Sequence, residues 1–153
     1  DQLLDEVITE SLRHISRKHE DYQIDVECEE FILVHMDVRL IIQVLVNLID
    51  NAIKYTLPGS KICIRGIKKD GQAQISVADN GPGISDEVKP HIFEMFYTGN
   101  NTIADSHRSL GLGLSLCRSI IEAHGGTLVL TDNIPRGCMF TFTLPLSEVI
   151  LNE

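Results

Sequence analysis

The sequence predicts an α+β domain, a two-layer α/β sandwich whose mixed sheet of about five strands is covered on one face by about three helices. Three observations carry that expectation. Apolar residues recur at helical spacing in three separated segments. Two period-two runs flank Asp70-Gly71, a strong short hairpin signal. Two further strand-like segments flank a turn-forming stretch, Asn133–Gly137, near the C-terminus.

In chain order, Leu3, Leu4, Val7, Ile8, Leu12 and Ile15 predict an amphipathic leading helix within residues 1–17. Extended pieces are expected around Gln23–Glu27 and Ile32–Met36. Asp37 is a candidate N-cap for a long helix that ends near Tyr55, before Leu57-Pro58-Gly59. Lys61–Lys68 and Gln72–Asp79 form the hairpin. Residues 97–110 are polar and aperiodic, which predicts a long loop. A helix from about Leu112 to His124 is stopped by Gly125-Gly126, and the last strands are Thr127–Thr131 and Met139–Leu144. Residues 146–153 are left as a tail, and no linker or repeat divides the chain, so 1–153 reads as a single domain.

The size scaling buries roughly 69% of the extended chain's surface, enough for a core without staples. Thirteen Lys+Arg against twenty-two Asp+Glu give a net charge of −9. That field repels nucleic acid and anionic lipid, so no nucleic-acid partner is expected. The longest apolar stretch, Leu40–Ile49, is broken by Gln43 and Asn47 and is too short to span a bilayer. Cys28, Cys63, Cys117 and Cys138 show no CxxC pair or metal-ligand spacing, as expected of reduced cytosolic thiols. The chain opens without Met, on acidic residues, and is expected to be part of a longer polypeptide.

Three constellations can carry chemistry. On the Asp37–Tyr55 helix, with Asn47 at zero and about 100° per residue, Gln43, Asp50, Asn51 and Lys54 fall between about −60° and +40°, with Tyr55 at about 80°. The apolar residues Val38, Ile41, Ile42, Leu45, Leu48, Ile49, Ala52 and Ile53 occupy the opposite arc. An Asn carbonyl is a hard neutral ligand suited to Mg²⁺, and Lys54 sets a cation where phosphates could sit. Incidental amides on a solvated helix face explain the arc equally simply. Next, Asp79-Asn-Gly-Pro-Gly-Ile84 follows a strand. Gly81 and Gly83 permit positive φ and close approach of a flat ligand, while Asp79 is a fixed acceptor for an amine such as that of adenine. A tight turn closed by an Asx bond from Asp79 or Asn80 also accounts for it. Last, Ser109-Leu-Gly-Leu-Gly-Leu-Ser115 brings Gly111 and Gly113 to a helix start, where free N–H groups favour anions. A plain loop-to-helix junction is the alternative.

Together, in this order, the three constellations resemble the gyrase, heat-shock-90, histidine-kinase and mismatch-repair ATPase superfamily, and within it the catalytic ATP-binding domain of bacterial sensor histidine kinases. Asn47-Leu-Ile-Asp-Asn-Ala-Ile-Lys-Tyr-Thr56 is similar to the N box and Asp79–Ile84 to the first glycine box. Ile92-Phe-Glu-Met-Phe-Tyr97 resembles the F box and Leu110–Ser115 the second glycine box. Glu122-Ala-His-Gly-Gly-Thr-Leu128 and Phe140–Pro145 continue the likeness, which runs from about Asp1 to Leu146. Leu33-Val-His-Met-Asp37 resembles the potassium-responsive sensor kinases.

The resemblance implies ATP and Mg²⁺ as cofactors and a role for each matched residue. Asn51 would hold Mg²⁺, with Asn47 near the phosphates or the metal shell and Lys54 on the phosphates; these three are the candidate catalytic residues. Tyr55, Ile84 and Phe96 would border the nucleotide. Asp79 would bond the adenine amine, with a water shared with Thr141, and Gly81 and Gly83 would open the adenine pocket. Gly111, Leu112, Gly113 and Leu114 would close the lid side, residues 97–110 forming the lid. The implied partners are ATP or ADP, a dimerisation and phosphoacceptor domain of the same kinase, and a cognate response regulator. The 153 residues would be monomeric and cytoplasmic, within a homodimeric parent at the inner membrane.

The chain departs from the family pattern in three places. Ser109 stands where the second glycine box begins with Gly, and Thr98 follows Tyr97 where Arg is frequent, with Arg108 as a substitute cation. No phosphoacceptor box is present: His19-Glu20 continues as Asp21-Tyr22, and His14 precedes Ile15. His35, His91, His107 and His124 lack ligand spacing. The clamp ATPases of the superfamily resemble one another in a Glu base one turn before the metal-binding Asn. Here that position is Asn47, an amide that cannot accept a proton, and Asp50 lies about 60° away. A non-catalytic nucleotide module finds support only in Ser109 and Thr98.

Overall fold

The computed structural model describes residues 2–15, 22–54, 56, 59–94 and 113–147. Helix α1 spans Leu4–Arg13, α2 Val38–Lys54 and α3 Gly113–Ala123. Strands β1 (Gln2–Leu3), β2 (Gln23–Cys28), β3 (Leu33–Val34), β4 (Lys61–Lys69), β5 (Gln72–Asp79), β6 (Leu128–Asp132) and β7 (Cys138–Pro145) complete the set. Five of them form one mixed sheet in the order β2-β4-β5-β7-β6. β2 runs parallel to β4, from Gln23↔Lys61 to Cys28↔Gly66, and every other neighbour is antiparallel. The parallel pair follows from α2, whose length supplies the crossover that parallel strands require.

β4 and β5 meet in the expected hairpin, with Asp70 and Gly71 at φ of 54° and 78° as a two-residue turn of that twist demands. Alternation then sorts the strands. Ile62 and Ile64, Ala73, Ile75 and Val77, and Phe140, Phe142 and Leu144 are buried on the helix-covered face. Onto them pack Leu4, Val7 and Ile8 of α1, Ile41, Leu45, Leu48 and Ile49 of α2, and Cys117, Ile120 and Ile121 of α3. α2 lies between α1 and α3, so it buries its apolar arc and keeps only a narrow polar one. Among the described residues no helix is long and apolar enough to cross a membrane.

Two expectations need correction. The segment expected to be extended over Ile32–Met36 contributes only Leu33–Val34, because its partner β1 is itself two residues long. That small antiparallel sheet, continued by a bridge from Val34 to Leu146, was not anticipated. α1 ends at Arg13 rather than running on to Ile15, and the His14 N–H turns back to the Ser11 carbonyl. The loop 97–110 lies outside the described residues, as do most of the tail and the site candidates Tyr55, Phe96, Arg108, Gly111 and Leu112.

Candidate functional site

α2 is secured at both ends. Asp37 Oδ1 accepts from the Leu40 N–H at 3.4 Å, the third helical residue, which makes Asp37 the N-cap. At the other end Thr56 Oγ1 donates to the Ala52 carbonyl at 2.9 Å, and the Tyr22 hydroxyl donates to Ile53 O at 3.3 Å. These bonds satisfy carbonyls that a helix end leaves without partners. The helix therefore holds Asn47, Asp50, Asn51 and Lys54, all half-buried, at fixed heights along one face.

Asn47 also joins two helices. Its Nδ2 donates to Cys117 Sγ of α3 at 3.6 Å, and the Cys117 thiol reaches the Val44 carbonyl at 3.9 Å. Burial pushes the Cys117 thiol up to about 11, against the weaker opposing pull of the Asn47 amide. α3 begins at Gly113, where an added Cβ would meet open space, and Leu114 packs partly against the core. Beside this end of α3, Phe93 meets Phe140 edge-on at 6.0 Å, and the Arg118 guanidinium lies 5.1 Å over the Phe93 ring.

Asp79 ends β5 on the helix-covered face and is only 5% exposed. Its Oδ1 accepts from the Gly81 N–H at 2.9 Å, the Asx bond that a tight turn predicts, and from the Cys138 N–H at 3.4 Å. Its Oδ2 faces the Cys138 thiol at 3.2 Å. Burial first, and the Asp79 carboxylate second, push that thiol well up, so sulfur keeps its proton and donates it. Asn80 turns away and accepts from the Lys61 N–H at 3.0 Å.

The turn between β6 and β7 closes over this strand end. Asn133 Nδ2 donates to the Asp79 carbonyl at 2.7 Å and Arg136 Nε to the Gly81 carbonyl at 3.0 Å. Gly137 lies so close to the Asp79 carbonyl that any Cβ there would overlap it. Lys89 bridges Asp86 and Asp132 at 2.7 Å each, tying the segment after the glycines to the same turn.

The expectation that Thr141 shares a water with Asp79 is corrected by the register. Thr141 stands opposite Ser76, on the face of the sheet away from Asp79. β7 begins at Cys138, and that residue meets the carboxylate. Of the two glycines whose bare backbone permits positive φ, Gly83 adopts it (83°), whereas Gly81 does not and donates its N–H to Asp79 Oδ1. Asn133, Arg136 and Cys138 were not anticipated. The signal for Cys138 was its even spacing from Phe140 and Phe142 on a strand that pairs with β5.

Among the described residues no cluster of His, Cys, Asp or Glu could hold a metal by itself. A neutral carboxamide such as Asn51 still fits Mg²⁺, which takes few protein ligands and keeps water and phosphate oxygens.

Residues 36–148 match the family described as histidine kinase-, DNA gyrase B-, and HSP90-like ATPase. The chain is 39% identical over 145 residues, 94% of its length, to the sensor protein KdpD of Clostridium acetobutylicum, of which it spans 16%. In structure it is similar to the mycobacterial sensor histidine kinase MprB (TM-score 0.82, 26% identity, covering 95% of this chain and 97% of that one). It is also similar to the catalytic domain of histidine kinase ThkA (TM-score 0.80, 33% identity, 94% of each chain). ThkA is likewise matched in its complex with the response regulator TrrA (TM-score 0.76, 34% identity, 93% of this chain and 40% of that one). With the glycine turn, the amide-bearing helix and these likenesses together, the chain belongs to the histidine kinase-, DNA gyrase B- and HSP90-like ATPase family, among the catalytic domains of sensor kinases.

Proposed function

We propose that this chain is the ATP-binding catalytic domain of a two-component sensor histidine kinase, transferring the γ-phosphoryl of Mg-ATP to a histidine on a separate dimerisation domain of the parent protein. The observation that carries the proposal is Asp79: a buried carboxylate held at a strand end, beside glycines, with one oxygen bound by two main-chain N–H groups. Such a group reads an exocyclic amine. Gly83, Ile84 and, outside the described residues, Tyr55 and Phe96 would border the base. Lys54 and Asn47 would face the phosphates, Gly113 and Leu114 would close on them with Gly111 and Leu112, and Asn51 would hold the metal. Residues 97–110 would serve as the lid and Arg108 as a cation within it. Mg²⁺, when bound, would neutralise charge on the phosphate oxygens.

In the transfer, an imidazole nitrogen bonds to the γ-phosphorus as the bond to the bridging oxygen breaks, and ADP leaves. The domain's task is to position the phosphates and keep water out. The Asn47 amide, occupied with Cys117, offers no general base for attack by water, which favours transfer over hydrolysis. The proposed partners are the parent's phosphoacceptor and dimerisation domain and, through it, a response regulator. The parent would be a homodimer at the inner membrane with this domain on the cytoplasmic side.

The test is labelling with γ-labelled ATP and Mg²⁺. The 153 residues alone should take up no label. With a His-bearing helical domain supplied, an acid-labile and base-stable phosphohistidine should form, and Asn51→Ala should abolish it. Rapid ATP turnover by the 153 residues alone would overturn the transfer reading in favour of a clamp ATPase, and label on Ser or Thr would overturn the choice of acceptor.

A further inference from the structure

We propose that the β6–β7 turn is a base-selecting clamp, in which Asn133, Arg136 and Cys138 are positioning residues that hold Asp79 for the 6-amino group of a purine. The inference rests on the ATP-binding reading above and deepens it.

The contacts converge on one short stretch of backbone. Cys138 meets both carboxylate oxygens of Asp79, Oδ1 through its N–H (3.4 Å) and Oδ2 through its thiol (3.2 Å). Asn133 holds the Asp79 carbonyl (2.7 Å), and Arg136 holds the carbonyl of Gly81 (3.0 Å), whose own N–H returns to Oδ1 (2.9 Å). The turn touches main-chain and side-chain atoms of Asp79 at once, so it sets both where the strand ends and how the carboxylate plane is rotated.

Donor counting makes this selective. A carboxylate has about four lone-pair sites on its two oxygens. Oδ1 accepts two N–H groups and Oδ2 accepts one thiol. With the partners among the described residues counted, a single acceptor direction is left, on Oδ2, for one N–H of a ligand. An exocyclic amine satisfies it, a ring carbonyl in that position is repelled, and a bare C–H gains nothing. Without the thiol, Oδ2 would have two open directions and no fixed rotation about the carboxylate bond. Without Asn133, the Asp79 carbonyl would lose the side-chain amide that donates to it at 2.7 Å.

The test compares Mg-ATP with Mg-purine riboside triphosphate, the same nucleotide lacking the 6-amino group, by calorimetry. The unsubstituted protein should prefer ATP by about tenfold, the scale of one hydrogen bond to a charged acceptor. Cys138→Ala and Asn133→Ala should bring the two affinities to within about twofold by weakening ATP alone, and Cys138→Ser, which restores a donor, should recover the preference. Arg136→Ala, at an exposed position, supplies a further variant should Cys138→Ala not fold, with a smaller loss of the same preference. Equal weakening of both nucleotides would assign the turn a merely structural role and overturn the inference, as would an undiminished preference in folded variants. Failure of the unsubstituted protein to bind either nucleotide would instead overturn the ATP reading itself. Binding of both with no preference would overturn the role given to Asp79.

Discussion

Asn47 and Asn51 sit one turn apart on α2, but their amides are placed for different tasks. Asn47 donates to Cys117 across the α2–α3 contact, which fixes its carboxamide and leaves its oxygen and its second N–H for a ligand. Asn51, half-buried on the same face, is the better oxygen donor to a cation. Asn51→Ala should therefore weaken ATP binding about tenfold in Mg²⁺, some 1.4 kcal/mol, and hardly at all in a chelator. Calorimetry that finds the same loss in both conditions would remove the metal assignment. The polar arc was legible because a 100° rotation separates it cleanly from the apolar residues. Cys138 was not legible in the same way. Its importance depends on which residue of β7 lies opposite Asp79, and register is a property of two strands together. Thr141, three residues along β7 from Cys138 and of the opposite parity, shows how an assignment by resemblance fails where the pleat decides.

At the scale of elements, the long helix is the piece that other elements must hold still. Its first turn is joined to the end of α3: the Asp37 N–H donates to His124 Nε2 at 3.1 Å, and His124 Nδ1 donates to the Ile120 carbonyl at 2.8 Å. The imidazole is thus a link between the start of α2 and the last turn of α3, with its ring proton on Nδ1. His124→Ala leaves the Asp37 N–H without this acceptor, and Asp37→Ala removes the cap from Leu40. Each should cost about 1 kcal/mol in urea unfolding. Unchanged midpoints in both variants would show that α2 does not depend on this end. The elements read most surely were those with local signals, such as the Asp70-Gly71 hairpin and the helix opening after Asp37. β1 and β3 had none, since two residues carry no period and their pairing joins positions thirty residues apart. The parallel pairing of β2, an edge strand of mixed polarity, was likewise a product of the crossover rather than of its own sequence.

For the whole molecule, the central question is what keeps the helices on the sheet, and a buried thiol offers a way to measure it. Cys117 lies at the α2–α3 contact, fully buried, and its folded-state value of about 11 exceeds the ordinary 9.0 because burial disfavours the thiolate. Below pH 9 the thiol is neutral in both the folded and the unfolded chain, and its contribution is complete. Above pH 9 the unfolded chain ionises first, so stability falls as pH rises towards 11, by about 2 kcal/mol from this group. Urea denaturation at pH 8 and at pH 10.5 should show a smaller alkaline loss in Cys117→Ala than in the unsubstituted protein; equal losses would refute the coupling. The strand order carries a different consequence. β7 enters the sheet beside β5 only after all the other strands have been made, and the turn before it reaches Asp79 across at least 54 positions of sequence. A chain leaving the ribosome therefore completes its long amide-bearing helix early, and the hydrogen bonds from Asn133 and Cys138 that hold Asp79 come late. On the proposed reading, recognition of the base would be the last property the nascent domain gains, and a chain halted before Cys138 would carry the proposed phosphate-facing helix without the Cys138 contacts that orient Asp79.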